Sequence, residues 1–425
     1  MTKKLQKSIC ISAIASNQGK TILTLALLYH YKKSVRPYKI GPDFIDPQFH
    51  QYICQTASIN LDSFMMNNKQ VRWIYDKYNN KEISILEGVM GFYDGMDKNS
   101  SAYDISKLLN IPTILILDGS GSYITISAVL KGLKEYKNDN TIKAIVLNKL
   151  GSTMHYELIK NQIKKDFDDI VVLGWIKKNL CTLNQTHLGL DLNSMQELQN
   201  ISKDVLKHID LNLLETISIT KKSKQNDNYP FEILDKNDKT IAIVNDKNFS
   251  FLYHDNIVFL QSIFKKVIFI DATKDETIPS NVDMVYIVGG YVETKRYYNN
   301  IKNSDNFKIS LITHSKNKPI YAECAGLLYL GKKVDDKIMS GILNVSFTLK
   351  AKRSRLGYYI NERNIKGHSF HYTQPTSLER GFCILSKKYK GKGEVASWQS
   401  HKTYGTYLHI FLRNNTDIIK EYFGI

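Results

Sequence analysis

The sequence lacks the marks of a secreted, metal-stapled or membrane-spanning chain. Its five cysteines, at 10, 54, 181, 324 and 383, are odd in number and form no CxxC pair. That argues against a disulfide framework and a zinc site, and fits a reducing cytoplasm. No apolar run is long enough to span a bilayer, so no membrane partner is expected. The opening MTKKLQKSICISAIAS has the basic head and short apolar stretch of a signal peptide. GKT follows at once, however, and the stretch reads instead as a first β-strand. There is no internal repeat, no zinc finger and no aromatic RNP-type strand. The net charge of +17 is therefore not read as nucleic-acid binding. Lysine is spread along the chain rather than gathered in one arm, and a substrate carrying many carboxylates accounts for the charge equally well.

What is present is ordinary for a soluble globular protein of two or three domains: 425 residues, 43% hydrophobic and 23% charged. KSICISAIA, RPYKIG, EISILEG, PTILILDG, IKAIVLN and DIVVLGWI are near-continuous apolar runs, as in parallel strands covered on both faces. Helical stretches such as TILTLALLYHYKK and ITISAVLKGLKEY fall between them. This predicts an open α/β sheet over residues 1–215, with a helical stretch near 194–215. The polar, aperiodic segment 216–238 reads as a linker. A second α/β pattern over 239–425 begins with TIAIVN, KVIFIDA, MVYIVGG and PIYAEC, and becomes richer in strands from about 338.

SAIASNQGKTIL follows the first strand and opens a helix. Gly19, Lys20 and Thr21 match the back half of a phosphate loop. Amides of Ser16, Asn17, Gln18 and Gly19 would cradle phosphate, Lys20 would reach its outer oxygens, and the Thr21 hydroxyl would ligate Mg²⁺. The front half departs from GxxxxGK[ST], with Ile14 at the glycine position, or Ala13 in a loop one residue longer. A chance GKT is the alternative. Asp43 and Asp46 follow the second strand, and Glu87 ends another. Ligands of open α/β sheets sit beyond the carboxyl ends of strands, so Thr21, Asp43 and Glu87 are expected to share one crevice and a Mg²⁺. Each acid taken singly is equally a turn cap. Asp118, in ILDGSG, is either a further ligand or a turn residue.

Cys324 lies in PIYAECAGLLYLG. A buried thiol is the ordinary reading of a lone cysteine. Here, however, a short strand runs into Ala322-Glu-Cys-Ala-Gly326 and then a helix. Small residues two before and two after are what a strained strand-turn-helix elbow needs around a nucleophile. The helix N-terminus would favour the thiolate.

GKT, KIGPDFIDP, ASINLD and ILEGVMGFYDG, in this order and spacing, resemble the cobyrinic acid a,c-diamide synthase family. IVLNKLGSTMHYELI (Asn148, His155), THLGL, TIAIVNDKNFSFLYHDN, VGGYVE, YAECAGLLYLG, KGHSFHY and TYLHIF continue in family order over nearly the whole chain. The family includes synthases acting on hydrogenobyrinic acid and on nickel-sirohydrochlorin. The resemblance implies a P-loop synthetase half, related to dethiobiotin synthetase, and a class I-type glutamine amidotransferase half. ATP, Mg²⁺ and glutamine would convert the a and c acetate carboxylates of a corrinoid to amides, through an acyl phosphate. It also implies Cys324 as nucleophile and His409 as its base, with His368 and His371 as competitors for that role. Gly289, Gly290 and Ala325 would supply the oxyanion site, and Asp46, Asn60 and Asp62 would orient the substrate carboxylate.

Phe411 stands two residues past His409, where an acid is usual, so a Cys-His pair is expected with no third carboxylate or a distant one. Ammonia freed at Cys324 must reach the acyl phosphate unprotonated, which makes the boundary between the halves functional. Ala13, Asn17, Val292, Ala325 and Ser369 depart from the family pattern. Asn17 tolerates left-handed backbone angles, and Ala325 is harmless if its own backbone is not left-handed. The rival readings are a P-loop switch ATPase, a related cobyric acid synthase and, last, a basic nucleic-acid binder. The oligomeric state stays open, with a homodimer as the candidate.

Overall fold

The computed structural model describes residues 6–180, 185–186, 189–190, 195–220, 228–376, 381, 383–387 and 390–425. Cys181, His187 within THLGL, and the 221–227 part of the expected linker lie outside these residues. The chain divides into two compact units, with the boundary after Pro230.

In the first unit, β1 (Gln6–Ala13), β2 (Val35–Ile40), β3 (Ile59–Leu61), β4 (Ile83–Glu87), β5 (Thr113–Asp118), β6 (Ile142–Leu150) and β7 (Val171–Lys177) form one sheet. Its order is β3-β2-β4-β1-β5-β6-β7, and every neighbouring pair is parallel. All residues of β2 and β4 are buried, including Arg36, Lys39 and Glu87, as expected of central strands covered on both faces. Helix α1 (Lys20–Tyr31) buries Leu23 and the run from Leu25 to Leu28 against the sheet. The three-residue β3 is too short to give a sequence signal of its own.

The sheet also extends past residue 215. Ile219–Thr220 pairs antiparallel with the start of β1, Gln6 facing Thr220 and Lys7 facing Ile219. The reason lies in the stagger of the sheet. β5 joins β1 only from Cys10 onward, so the backbone groups of Gln6 and Lys7 on that side need another partner. The stretch read as one helix is two, Met195–Leu206 and Leu211–Ile217.

The second unit holds a nine-stranded sheet. Its order is Phe264–Ile270, Asn237–Val244, Met284–Ile287, Ile320–Glu323, Thr403–Thr406, Lys390–Ser400, Cys383–Lys387, Arg355–Asn361, Lys366–His371. The first five strands are mutually parallel, and the remainder pair antiparallel. This is the strand-rich last third. The architecture is thus α/β in both units, a parallel sheet followed by a mixed sheet. No helix among the described residues is long and apolar enough to cross a membrane.

One ion pair pins the C-terminal segment of this unit. Arg413 donates through Nε (2.7 Å) and a terminal nitrogen (2.9 Å) to the two oxygens of Asp255, both side chains being buried. Removing one partner strands a buried charge. Asp255→Ala is expected to lower stability by about 3–5 kcal/mol, read as a shift in the urea midpoint.

Candidate active sites

The carboxyl ends of β1, β2 and β4 gather the first site. Residues 14–17 of the loop after β1 are exposed, and Gly19 takes φ 95°. A Cβ on Gly19 would stand 2.6 Å from Asn148 Nδ2, which itself donates to the Gln18 carbonyl (2.8 Å). Asn148, at the end of β6, therefore holds the loop closed over a bare glycine. Asn17 has φ 61°, the left-handed conformation that asparagine accepts in place of glycine. Lys20 is buried and donates to the carbonyls of Ala15 (2.8 Å) and Met90 (2.6 Å). Burial, and then the charge of Lys39, lower its pKa to about 8. Lys20 forms no ion pair with a carboxylate among the described residues, so its charge is open to an anion.

Thr21 donates to Glu87 Oε1 (2.8 Å). The same carboxylate accepts from Lys39 at Oε1 (3.1 Å) and from His50 Nε2 at Oε2 (2.8 Å). Ser58 lies 3.0 Å from His50 Nδ1 and fixes the ring. Burial alone would raise the Glu87 carboxyl, but Lys39 and His50 outweigh it and hold it well below the usual range. Lys39 also pairs with Asp46 and approaches Asp43 at 3.8 Å. Three carboxylates thus share one ammonium. Burial pushes the Asp46 carboxyl above its usual range, and the all-oxygen donor set suits Mg²⁺, which takes one or two carboxylates and fills its shell with phosphate and water. Among the described residues no three His, Cys, Asp or Glu side chains form a ready metal cluster. The protein's share of a Mg²⁺ shell would be the hydroxyl of Thr21 with Asp43 and Glu87.

Lys39 and His50 are absent from the sequence expectation, because their partner Glu87 lies 48 and 37 positions away. Asp43 does double duty, its Oδ1 accepting the amides of Ile45 (2.7 Å) and Asp46 (3.2 Å) at the start of the next helix. Asn60 donates to the carbonyls of Gly41 and Asp43, shaping the backbone there, while Asp62 accepts the amides of Phe64 and Met65, and both are buried. Asp118 is a turn residue, paired with Lys149 (2.6 Å) and capping Ser120.

The second site is built on Cys324. The strand Ile320–Glu323 turns into the helix Ala325–Leu330 through Cys324 itself, at φ 46° and ψ −105°. A cysteine held in this left-handed region is strained, as a nucleophile elbow requires. Gly326 answers the same constraint, since a Cβ there would lie 2.5 Å from the Ile287 carbonyl. Ala325 is not left-handed and its substitution for glycine is harmless. The amides of Ala325 and Gly290 reach the thiol and pull its pKa down, but burial and the charge of Glu293 prevail and push it well above the ordinary value. The helix is six residues long, and the thiol is 4% exposed. Its proton must leave when substrate arrives.

His409 follows the strand Thr403–Thr406 and is buried. Its ring lies against Gly289, where a Cβ would come within 2.3 Å of Cε1. The paired glycines thus serve two approaches, Gly289 to the imidazole and Gly290 to the thiol. Burial lowers the His409 pKa to about 3. Nδ1 lies 3.2 Å from Glu323 Oε2, within hydrogen-bond distance, both groups being buried. This is a third carboxylate, distant from His409 in sequence but adjacent to Cys324. The signal for it lies in YAEC, an acid at the buried end of an apolar strand. Burial pushes Glu323 up as it pushes His409 down. His371 stacks on Tyr407 at 3.7 Å, its Nδ1 meets the Thr373 carbonyl, and its Nε2 is buried without a hydrogen-bond partner among the described residues. His368 exchanges backbone hydrogen bonds with His409 and so aligns it. Ser369 is buried with its hydroxyl unpartnered.

The family model described as a CobB/CobQ-like glutamine amidotransferase domain matches residues 240–417. The cobyrinate a,c-diamide synthase of Fusobacterium nucleatum is 33% identical, over 98% of this chain and 100% of that one. The enzyme of the same name from Listeria monocytogenes is 32% identical, over 98% of each chain. That of Saccharolobus solfataricus is 32% identical, over 96% of this chain and 98% of that one. Fold and amidotransferase domain define a glutamine-dependent ligase that forms amide bonds. The chain belongs to the cobyrinate a,c-diamide synthase family.

For His409 Nε2 to act as a base, the ring proton must stay on Nδ1, and Glu323 is the acceptor that keeps it there. Glu323→Gln is expected to lower kcat for glutamine hydrolysis by about 10²-fold or more while changing KM little. Steady-state glutaminase kinetics measure it.

Proposed function

We propose that the chain amidates the a and c acetate carboxylates of cobyrinic acid, in cobalamin biosynthesis, using ATP and glutamine. The observation that carries this reading is the pairing, in one chain, of a strained Cys324 elbow facing two amides with a phosphate-type loop whose Lys20 has no carboxylate partner. A switch ATPase has use for the loop but none for the elbow.

In the amidotransferase half, Cys324 Sγ attacks the side-chain amide carbon of glutamine. The thiol proton passes to His409 and then to the departing nitrogen, and ammonia leaves. The amides of Gly290 and Ala325, on the strand carrying Gly289 and at the helix start, hold the oxyanion. Water releases glutamate from the thioester. In the other half, the amides of 16–19 and Lys20 would hold the phosphates, and Thr21, Asp43 and Glu87 would hold Mg²⁺. ATP supplies the phosphoryl group that makes the substrate carboxylate an electrophile. Asp46, paired with Lys39, would help orient that carboxylate beside the ammonium.

The test is mass spectrometry of purified protein with Mg·ATP, glutamine and, in parallel, cobyrinic acid, hydrogenobyrinic acid and nickel-sirohydrochlorin. Two carboxyl-to-amide conversions on cobyrinic acid are expected. Conversion of another acid alone moves the substrate, and conversion of none, with glutamine-independent ATP hydrolysis, moves the reading to the switch ATPase. Cys324→Ala should abolish glutamine use and spare ammonia-dependent amidation, and Lys20→Ala should abolish both.

A further inference from the structure

Glu293 has no part in the chemistry above, yet it stands beside it. It lies three residues past Gly290, whose amide reaches the Cys324 thiol, and its charge acts on that thiol. Its Oε2 is buried with no hydrogen-bond partner among the described residues. The nearest cation acting on it, Lys337, is itself paired with Asp336 at 3.2 Å. Burial raises the Glu293 pKa to about 7. The other carboxylate oxygen has no such gap, since the residue's own amide bonds to the group; a buried carboxylate oxygen left without a hydrogen bond is still expensive, and native proteins keep one mainly where a ligand completes it. Thr294, the next residue, has a hydroxyl that is also buried and unpartnered.

The thiol's substrate explains the missing partner. Glutamine carries its amide at one end and an ammonium and a carboxylate at the other. Four bonds separate the amide carbon from the α-nitrogen, roughly 5 Å at about 1.5 Å per bond. A site that reacts with the amide must read the head group to refuse other amides. It needs an acceptor for a cation and a donor for an anion, which are the two chemistries left open at Glu293 and Thr294. A single carboxylate with no second acid beside it does not make a metal site. We propose that Glu293 binds the α-ammonium of glutamine and so selects the nitrogen donor, an inference that rests on the amidotransferase reading of Cys324.

The test compares glutamine with 4-carbamoylbutanoate, the same molecule without its amino group, in glutaminase assays with Mg·ATP and corrinoid acceptor present. The wild-type chain should prefer glutamine by about 100-fold or more in kcat/KM, a buried charge left unpaired being worth at least that. Glu293→Gln should raise the KM for glutamine at least tenfold and bring the two substrates close together, whereas a merely structural role would weaken both alike. A Glu293→Gln chain that keeps the wild-type preference overturns the proposal. So does a wild-type chain that uses both compounds equally, a measurement that needs no variant. Release of no ammonia from glutamine by the wild type would overturn the underlying amidotransferase reading as well, and is distinct from either result.

Discussion

A parallel sheet covered on both faces leaves one place for polar chemistry, the carboxyl ends of its strands. Both units obey this constraint. In the first, β1, β2 and β4 deliver Lys20 with Thr21, Asp43 with Asp46, and Glu87 to neighbouring ends. In the second, the strands ending at Ile287, Glu323 and Thr406 deliver the paired glycines, Cys324 and His409. Strand order thus decides which residues meet, and local turn geometry decides how closely.

The second organising feature is that the charged groups at both sites are held out of water and answer for one another. Glu87 stays ionised because Thr21, Lys39 and His50 all donate to it. Without them a fully buried carboxylate would take up a proton. Around Cys324 the balance falls the other way: burial keeps thiol and imidazole neutral.

The strands were legible because burial on both faces writes them as apolar runs, and TIAIVN or PTILILDG admits little else. The elbow was legible for a related reason, since small residues at 322, 325 and 326 are the imprint of close backbone contacts. What could not be read is pairing across long sequence separations. Nothing in KIGPDFIDP says that Lys39 will sit among three carboxylates, and nothing near His409 says that its acid is Glu323. Phe411, at the expected place, is instead stacked on Tyr253 at 4.3 Å. The strand Ile219–Thr220 was hidden in polar sequence because its role is to satisfy two backbone positions rather than to fill a core.

In the proposed reaction, nitrogen released at Cys324 is consumed at the phosphate-loop site of the same protein. Ammonia that mixes with neutral water is protonated and loses its nucleophilicity, so the transfer must outrun exchange. The direct measurement is product mass with amide-¹⁵N glutamine in the presence of excess unlabelled ammonium. The account predicts that both new amides carry ¹⁵N. Amides whose label matches the bulk ammonium pool would contradict it.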